Sequence, residues 1–456
     1  MTGTEAFSRR GFVGAVSAAS TAAVLMGVTG AQAFVKASNI AAVGENKLPK
    51  TYYIKNVLLD RGYERDGDLI VATKTEVKTL LIKDGKISAI LDDGAKLDAS
   101  IQAVDAENLL LLPAFQDIHI HLDKTFYGGA WRAVRPNPNG IFDRIAEEQK
   151  ILPKMLETAE ERTEKMIELL QGMGVVFARS HCNIEPTSKL KSLEHLMNVL
   201  KRHKDDFGCE IVAFPQHGLL HSDSVGLMRD AMKMGANMVG GLDPNRVDKN
   251  MTKSLDATFQ IATDFKAPID YHLHEIKEDG YNSIRRIIKL TKEAKMQGKV
   301  TISHAYALAF LPDYVVTDLA EQFVEADISL ATGLPLSNWA MPIPTLWERG
   351  VKIGIGTDSV IDHWSPFGRC DILERTRLAC EVYDWDKEEM LANALRLGTN
   401  NISVLDEKGN IAWPKVGDKA DMVFVSASCT AEAVARTPAR SAVFREGALI
   451  AGSLKA

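Results

Sequence analysis

The chain has no cysteine framework. Its five cysteines (Cys182, Cys209, Cys370, Cys380, Cys429) are scattered, odd in number and form no Cys-x-x-Cys pair, which excludes a disulfide scaffold and a zinc knuckle. It also lacks an excess of one charge. Lys and Arg number 54 against 60 Asp and Glu, a formal net charge of −6 spread over 456 residues, so nothing invites nucleic acid or an anionic membrane. Internal repeats and low-complexity segments are absent. So is a strongly apolar run long enough to span a bilayer, which takes about 20 such residues. The nearest approach, Ala15 to Gly30, is built mostly of small residues; it follows Ser8-Arg9-Arg10-Gly11-Phe12-Val13 and ends in Ala31-Gln32-Ala33. A paired arginine, a short apolar region and an A-x-A end make residues 1–33 an export signal of the twin-arginine type. The expectation is a periplasmic protein with no stable membrane insertion once the signal is cleaved. Residues 34–50, without a clear period, are expected to be a linker.

What is present suits a globular protein with a large core: 46% of residues are hydrophobic and 25% charged. Residues 51–112 and 405–456 carry short strand-and-turn patterns, including Asp84-Gly85 as a hairpin turn. Between them, residues 113–404 alternate apolar runs with amphipathic ones. Strands are expected at Phe115–His121, Val175–His181, Glu210–Gln216, Met238–Leu242, Pro268–His274, Lys299–His304, Ile328–Thr332 and Val351–Thr357. Helical stretches such as Glu160–Gly172, Lys189–His203 and Ile284–Met296 separate them. Eight such alternations predict an α/β protein: a (β/α)8 TIM-like barrel with a small β-sandwich domain built from both termini.

Polar residues gather where a barrel places its chemistry, at the carboxyl ends of strands. His119 and His121 end the first strand and, two apart, share one face. An isolated His-x-His carries little weight among 11 histidines. Here, however, His181, Gln216-His217, His272-Leu273-His274-Glu275, His304 and Asp358-Ser359 end other strands. Histidines at five strand ends, with a Glu and an Asp, are hard to explain as core packing, because buried ionisable groups need partners. Three neutral imidazoles and one carboxylate suit one divalent metal ion, Zn²⁺ or Fe²⁺, with a position left for water. The candidate ligands are His119, His121, His272 and Asp358. His195 and His203, in a lysine-rich helix, are expected at the surface, whereas His181, His217 and His274 are candidates to orient the ligands. The loop Trp131–Gly140 is open to two readings, a cover over the pocket or a plain surface loop.

The segments Pro113–Asp123, Ala213–Gln216, Ile269–Glu275, Val300–His304 and Asp358–Trp364 resemble the amidohydrolase superfamily, in the branch of cytosine deaminase. The resemblance runs in order over almost the whole chain after residue 33. It implies a mononuclear centre on His119, His121, His272 and Asp358, with Glu275 as proton shuttle and His304 as active-site histidine. Asp358 accepts a proton from the attacking water, and Gln216 reads the ring edge. Binuclear members carry a carboxylated lysine at a middle strand, and no lysine ends a strand here. The implied partner is a small nitrogen heterocycle that loses ammonia, and a homo-oligomer is compatible. A non-catalytic metal- or ligand-binding protein has no need of the proton shuttle. Two departures bear on the substrate. Cytosine deaminase has a carboxylate after the metal Asp, where this chain has Ser359. Asp123-Lys124-Thr125, Val239–Pro244 and Ile269–His272 resemble instead the hydrolase that removes isopropylamine from N-isopropylammelide, although that relative has Asp where Glu275 stands. The alternatives are therefore a cyclic amide or an N-alkyl-aminotriazine. Lys124 is either a contact for an oxo or anionic substituent or a solvated loop lysine. Trp364 and Phe367 are expected beside the ring or in the core.

Overall fold

The computed structural model describes residues 48–335 and 339–456; the expected export signal and most of the linker lie outside the described residues. One mixed sheet gathers the two ends of the chain. It contains β1 (Thr51–Asp66), β2 (Leu69–Lys83), β3 (Lys86–Asp92), β4 (Ala103–Asp105) and β5 (Leu110–Pro113). The second group of strands begins with β6 (Phe115–Ile120), β7 (Val175–Asn183), β8 (Gly208–Phe214) and β9 (Met238–Leu242). It continues with β10 (Ile269–His272), β11 (Val300–Ser303), β12 (Ile328–Thr332) and β13 (Ile353–Ile355). The chain then returns to the first sheet with β14 (Met422–Val425), β15 (Arg440–Arg445) and β16 (Ala448–Gly452). The order in that sheet is β16-β15-β14-β5-β1-β2-β3, with β4 on β1. The region expected as a sandwich is thus one continuous sheet, whose long β1–β2 pair is interrupted by register shifts at Ile54/Val57, Asp60/Gly62 and Glu64/Arg65. Bulges of this kind bend a strand and increase its twist. β2 runs without a break from Leu69 to Lys83. Asp84 and Gly85 both adopt positive φ, as a two-residue hairpin turn requires.

β5 is buried at all four residues and antiparallel to β14. Its last residue, Pro113, leads through Ala114 straight into β6, so the sheet fixes the entry to the barrel. From β6 to β13 each strand lies parallel to the next. The helices between bury one face each; in Lys191–Arg202 that face is Leu193, Leu196 and Val199. The barrel closes between its first and last strands. There Ile120 and Asp358 form an isolated parallel bridge, and the Asp358 N–H donates to the His119 carbonyl over 2.7 Å. The Thr357 N–H donates to the buried Asp117 carboxylate over 3.1 Å. Gly356 permits this approach, because a Cβ there would stand 2.4 Å from the His119 carbonyl oxygen.

Candidate active site

The two histidines leaving β6 are buried, and each has one ring nitrogen committed. His119 Nδ1 is 2.9 Å from Ser303 Oγ, and that hydroxyl lies 2.5 Å from Asp270 Oδ1. A serine has one proton to give, and a carboxylate can only accept. Ser303 therefore donates to Asp270 and accepts from His119 Nδ1–H, which leaves His119 Nε2 with a lone pair. His121 Nδ1 lies 3.0 Å from the His181 carbonyl. A carbonyl also only accepts, so His121 Nε2 carries a lone pair as well. Both Nε2 atoms face Asp358 Oδ1, at 3.5 and 3.4 Å respectively. Lone pairs turned toward a carboxylate oxygen repel one another unless a cation stands between them.

The rest of the cluster fits that cation. One ligand atom each of His119, His121 and His272 lies within 4.8 Å of the others, and so does one each of His119, His304 and Asp358. Among the described residues neither nitrogen of His272 or His304 has a hydrogen-bond partner, although both are buried. Burial first, then the neighbouring Lys124, pushes the His121 imidazole down to about 3. Burial and the adjoining histidines hold His272, His304 and His181 well below the usual imidazole range. These rings are neutral, the form that binds a metal. The donor set and its unpartnered nitrogens therefore match a site for a divalent ion.

Of the residues expected to orient ligands, His181 supplies the carbonyl that holds His121, and its ring lies 4.2 Å from that of His119. His274 is partly exposed. Its Nδ1 lies 3.1 Å from Asp243 Oδ2, and its ring centre is 4.3 Å from that of His304. Burial alone would lower the His274 imidazole; the Asp243 carboxylate outweighs it and raises it. His217 touches no candidate ligand. It is buried between Glu148, 3.1 Å from Nε2, and Glu185, 3.3 Å from Nδ1, because both carboxylates need a partner inside the protein. His195 and His203 lie toward the surface, with Glu160 and Asp206 as partners.

Glu275 is buried and fully engaged. Oε1 accepts from the backbone N–H groups of Asn245 (2.6 Å) and Arg246 (2.7 Å). Oε2 accepts from Asn245 Nδ2 (2.8 Å) and Ser283 Oγ (2.9 Å). The loop after β9 hangs on this carboxylate. Burial outweighs these bonds and raises its pKa.

The expected substrate contacts divide. Lys124 is 1% exposed, which removes the solvated-lysine reading. It points to Gln216, whose Oε1 lies 2.5 Å from Nζ. Trp364 is half-buried against a small cluster of Ile141, Ile145, Phe214, Leu242 and Val247, 5.7 Å from Lys124 Nζ. Ser359 follows Asp358 and is half-buried. Phe367 is a correction: at 75% exposed it packs neither in the core nor in an enclosed site, because residues 365–369 run along the surface. Trp131, at the start of the possible cover, is also exposed.

Sequence reading missed Asp270, Ser303, Asp243 and Asn245 as supports, and Glu148 as the acid beside Lys124. Glu148 carried a signal. It occupies a core position in the buried stripe Ile141, Ile145, Leu152, Met155 of helix Ile141–Met155.

A model of the amidohydrolase family matches residues 139–451. The uncharacterized protein YahJ of Escherichia coli (strain K12) is 46% identical over 99% of both chains. The crystal structure of N-isopropylammelide isopropylaminohydrolase from Burkholderia multivorans superposes with a TM-score of 0.77 at 28% identity, covering 88% of this chain and 98% of that one. The crystal structure of 5-methylcytosine deaminase from Klebsiella pneumoniae, liganded with phosphonocytosine, gives 0.72 at 25% identity, over 88% and 98%.

Proposed function

This chain belongs to the amidohydrolase family, and from that membership we propose that it releases ammonia or an amine from a nitrogen heterocycle by hydrolysis. One divalent ion, Zn²⁺ or Fe²⁺, is held by His119, His121, His272 and Asp358. The observation that carries this reading is the pair of Nε2 lone pairs on His119 and His121 aimed at Asp358 Oδ1. When bound, such an ion supplies a water acidified toward neutrality.

The protein's own groups do the remainder. Ser303 and the His181 carbonyl keep His119 and His121 in the metal-binding tautomer. Asp358 takes the proton from the attacking water. His304 hydrogen-bonds the attacking oxygen or polarises the substrate. Glu275 carries protons to the ring nitrogen and the leaving amine. Oε2 does so by exchanging Asn245 Nδ2 and Ser283 Oγ for substrate, while Oε1 stays on two backbone N–H groups. Lys124 and Gln216 fix the ring, Trp364 flanks it, and the Ser359 hydroxyl tolerates a carbonyl where a carboxylate would demand N–H. The likeness to N-isopropylammelide isopropylaminohydrolase favours an alkylamine as well as ammonia as leaving group. No described helix is long and apolar enough to cross a membrane. Export to the periplasm through residues 1–33 is proposed on the sequence pattern alone.

The test is a screen of metal-loaded protein against aminopyrimidines, N-alkylaminotriazines, pterins and cyclic ureas, following amine release and metal content. Release from one heterocyclic class by protein holding one ion per chain is expected. Two ions per chain would refute the four-ligand site. No amine release from any class would refute the activity.

A further inference from the structure

A cavity of about 590 Å³ lies at the end of the barrel away from the histidine cluster, where the barrel meets the mixed sheet. Small-molecule sites typically measure about 300–1,000 Å³. The barrel contributes Gln116 near the start of β6, Phe177 of β7 and Gly208, the first residue of β8. The sheet contributes Arg445, the last residue of β15, and Asp421, just before β14. Gln116 stands about 10 Å along β6 from His119, so the cavity is separate from the proposed chemistry.

Its lining holds charges of both signs that lack a full set of partners. Arg445 donates from Nη1 to the Lys204 carbonyl over 3.3 Å and forms no ion pair among the described residues. A Cβ on Gly208 would stand 3.5 Å from Arg445 Nη2, so the glycine leaves that face of the guanidinium uncovered. Trp413 is 5% exposed, and its indole N–H, which can only donate, meets no acceptor among the described residues. On the acidic side, Asp418 Oδ2 accepts from the Lys415 N–H (2.7 Å) and Asp421 Oδ1 from the Glu446 N–H (2.6 Å). The second oxygen of each has no partner among the described residues. Lys419 and Glu446 pair with each other at 3.4 Å. One guanidinium and two carboxylates therefore remain to face a ligand. A simple anion would meet Arg445 but be repelled by both acids. A simple cation would offer nothing to the guanidinium or the indole. A molecule carrying both charges suits the whole lining, and Val176 and Phe177 supply an apolar wall.

We propose that this cavity binds a free α-amino acid with a large apolar side chain. The carboxylate meets Arg445 and the Trp413 N–H, the ammonium meets Asp418 and Asp421, and the side chain lies against Val176 and Phe177. Because barrel and sheet share the lining, the ligand fastens one to the other and stabilises the folded chain as its concentration rises. Each charged end contributes roughly 10–100-fold in affinity.

The test is calorimetric titration of metal-loaded protein with L-phenylalanine, with 3-phenylpropionate, which lacks the ammonium, and with 2-phenylethylamine, which lacks the carboxylate. L-Phenylalanine should bind roughly 10–100-fold more tightly than either and raise the thermal midpoint progressively. Arg445→Met should bring it down to the level of phenylethylamine. Asp418→Asn combined with Asp421→Asn should bring it down to that of phenylpropionate, and decides the matter if the arginine variant does not fold. An amino acid can also chelate a metal ion, so His119→Ala is the control and should bind L-phenylalanine as the unmodified protein does. No binding of L-phenylalanine, equal affinity for the three ligands, or affinity that survives Arg445→Met overturns the proposal. Binding lost in His119→Ala and kept in Arg445→Met would assign the amino acid to the metal centre instead, and overturns it as well.

Discussion

Removing one hydroxyl should weaken the metal site without touching a ligand. Ser303→Ala deletes the atom that joins His119 Nδ1 (2.9 Å) to Asp270 Oδ1 (2.5 Å). Asp270 keeps Arg179 at 3.0 Å, so the loss falls mainly on His119. Its Nδ1–H is then buried without an acceptor, a penalty of about 1–3 kcal/mol. The imidazole can escape part of that by moving its proton to Nε2, the nitrogen needed for the ion. Supporting groups of this kind are typically worth about 10–100-fold in metal affinity, which is about 1.4–2.8 kcal/mol. The assay is competition between apoprotein and a chromophoric chelator for Zn²⁺, with circular dichroism to confirm that both proteins are folded. Ser303→Thr, which keeps the hydroxyl, should recover most of the affinity. A Ser303→Ala affinity within about twofold of the unmodified protein would refute the role given to this hydroxyl, and so would a Thr variant no better than Ala.

Glu275→Gln should retain the metal and lose turnover. It should also unfold about 1–3 kcal/mol more easily in urea, because an amide nitrogen would face donors that now meet a carboxylate oxygen; equal metal loss in this variant and in His119→Ala would mean that Glu275 is a ligand. His203 is pushed up to about 9, first by its hydrogen bond to Asp206 and also by Glu164, against burial. A raised imidazole contributes stability in full below its unfolded value of about 6.5 and loses it as pH rises through about 9. His203→Asn should therefore cost about 1 kcal/mol near pH 6, after discounting for the partly exposed carboxylates, and almost nothing near pH 10; a pH-independent loss in thermal melts would contradict this. Replacing Arg9 and Arg10 by Lys should leave precursor in the cytoplasm on fractionation, whereas normal export of that variant would point to a general secretion signal.

The barrel was legible because each strand is a short apolar run followed by polar residues that cannot belong to a core. Strand ends were less so. Lys299–His304 shortens to Val300–Ser303, and Val351–Thr357 to Ile353–Ile355. The ladder stops where the backbone turns to aim a side chain: His304 and Asp358 have φ of 69° and 58°. Helix Lys277–Glu293 starts well before the expected Ile284. Within it, a Cβ at Gly280 would meet the Glu275 carbonyl at 2.2 Å, so close packing explains the glycine. Glu275 itself was visible as a position, whereas three of its four bonds depend on a loop some thirty residues away. The Ser303–Asp270 support had the same obstacle. Both residues sit inside segments read as significant, but their pairing with His119 exists only once distant strands are neighbours.

The barrel's closing edge also sets an order of events during synthesis. Thr357 and Asp117, which meet there, are 240 residues apart in the chain, and the same edge brings Asp358 beside His119 and His121. A nascent chain that has not yet delivered its eighth barrel strand can display histidines, but not the carboxylate that completes their set. Ion capture at full affinity, on the function proposed above, would report that translation has passed the barrel and that its two edges have met. The seam is spanned by an isolated bridge rather than a ladder among the described residues. An ion gripped from both sides would fasten the barrel at that edge, adding stability that grows with the free metal concentration.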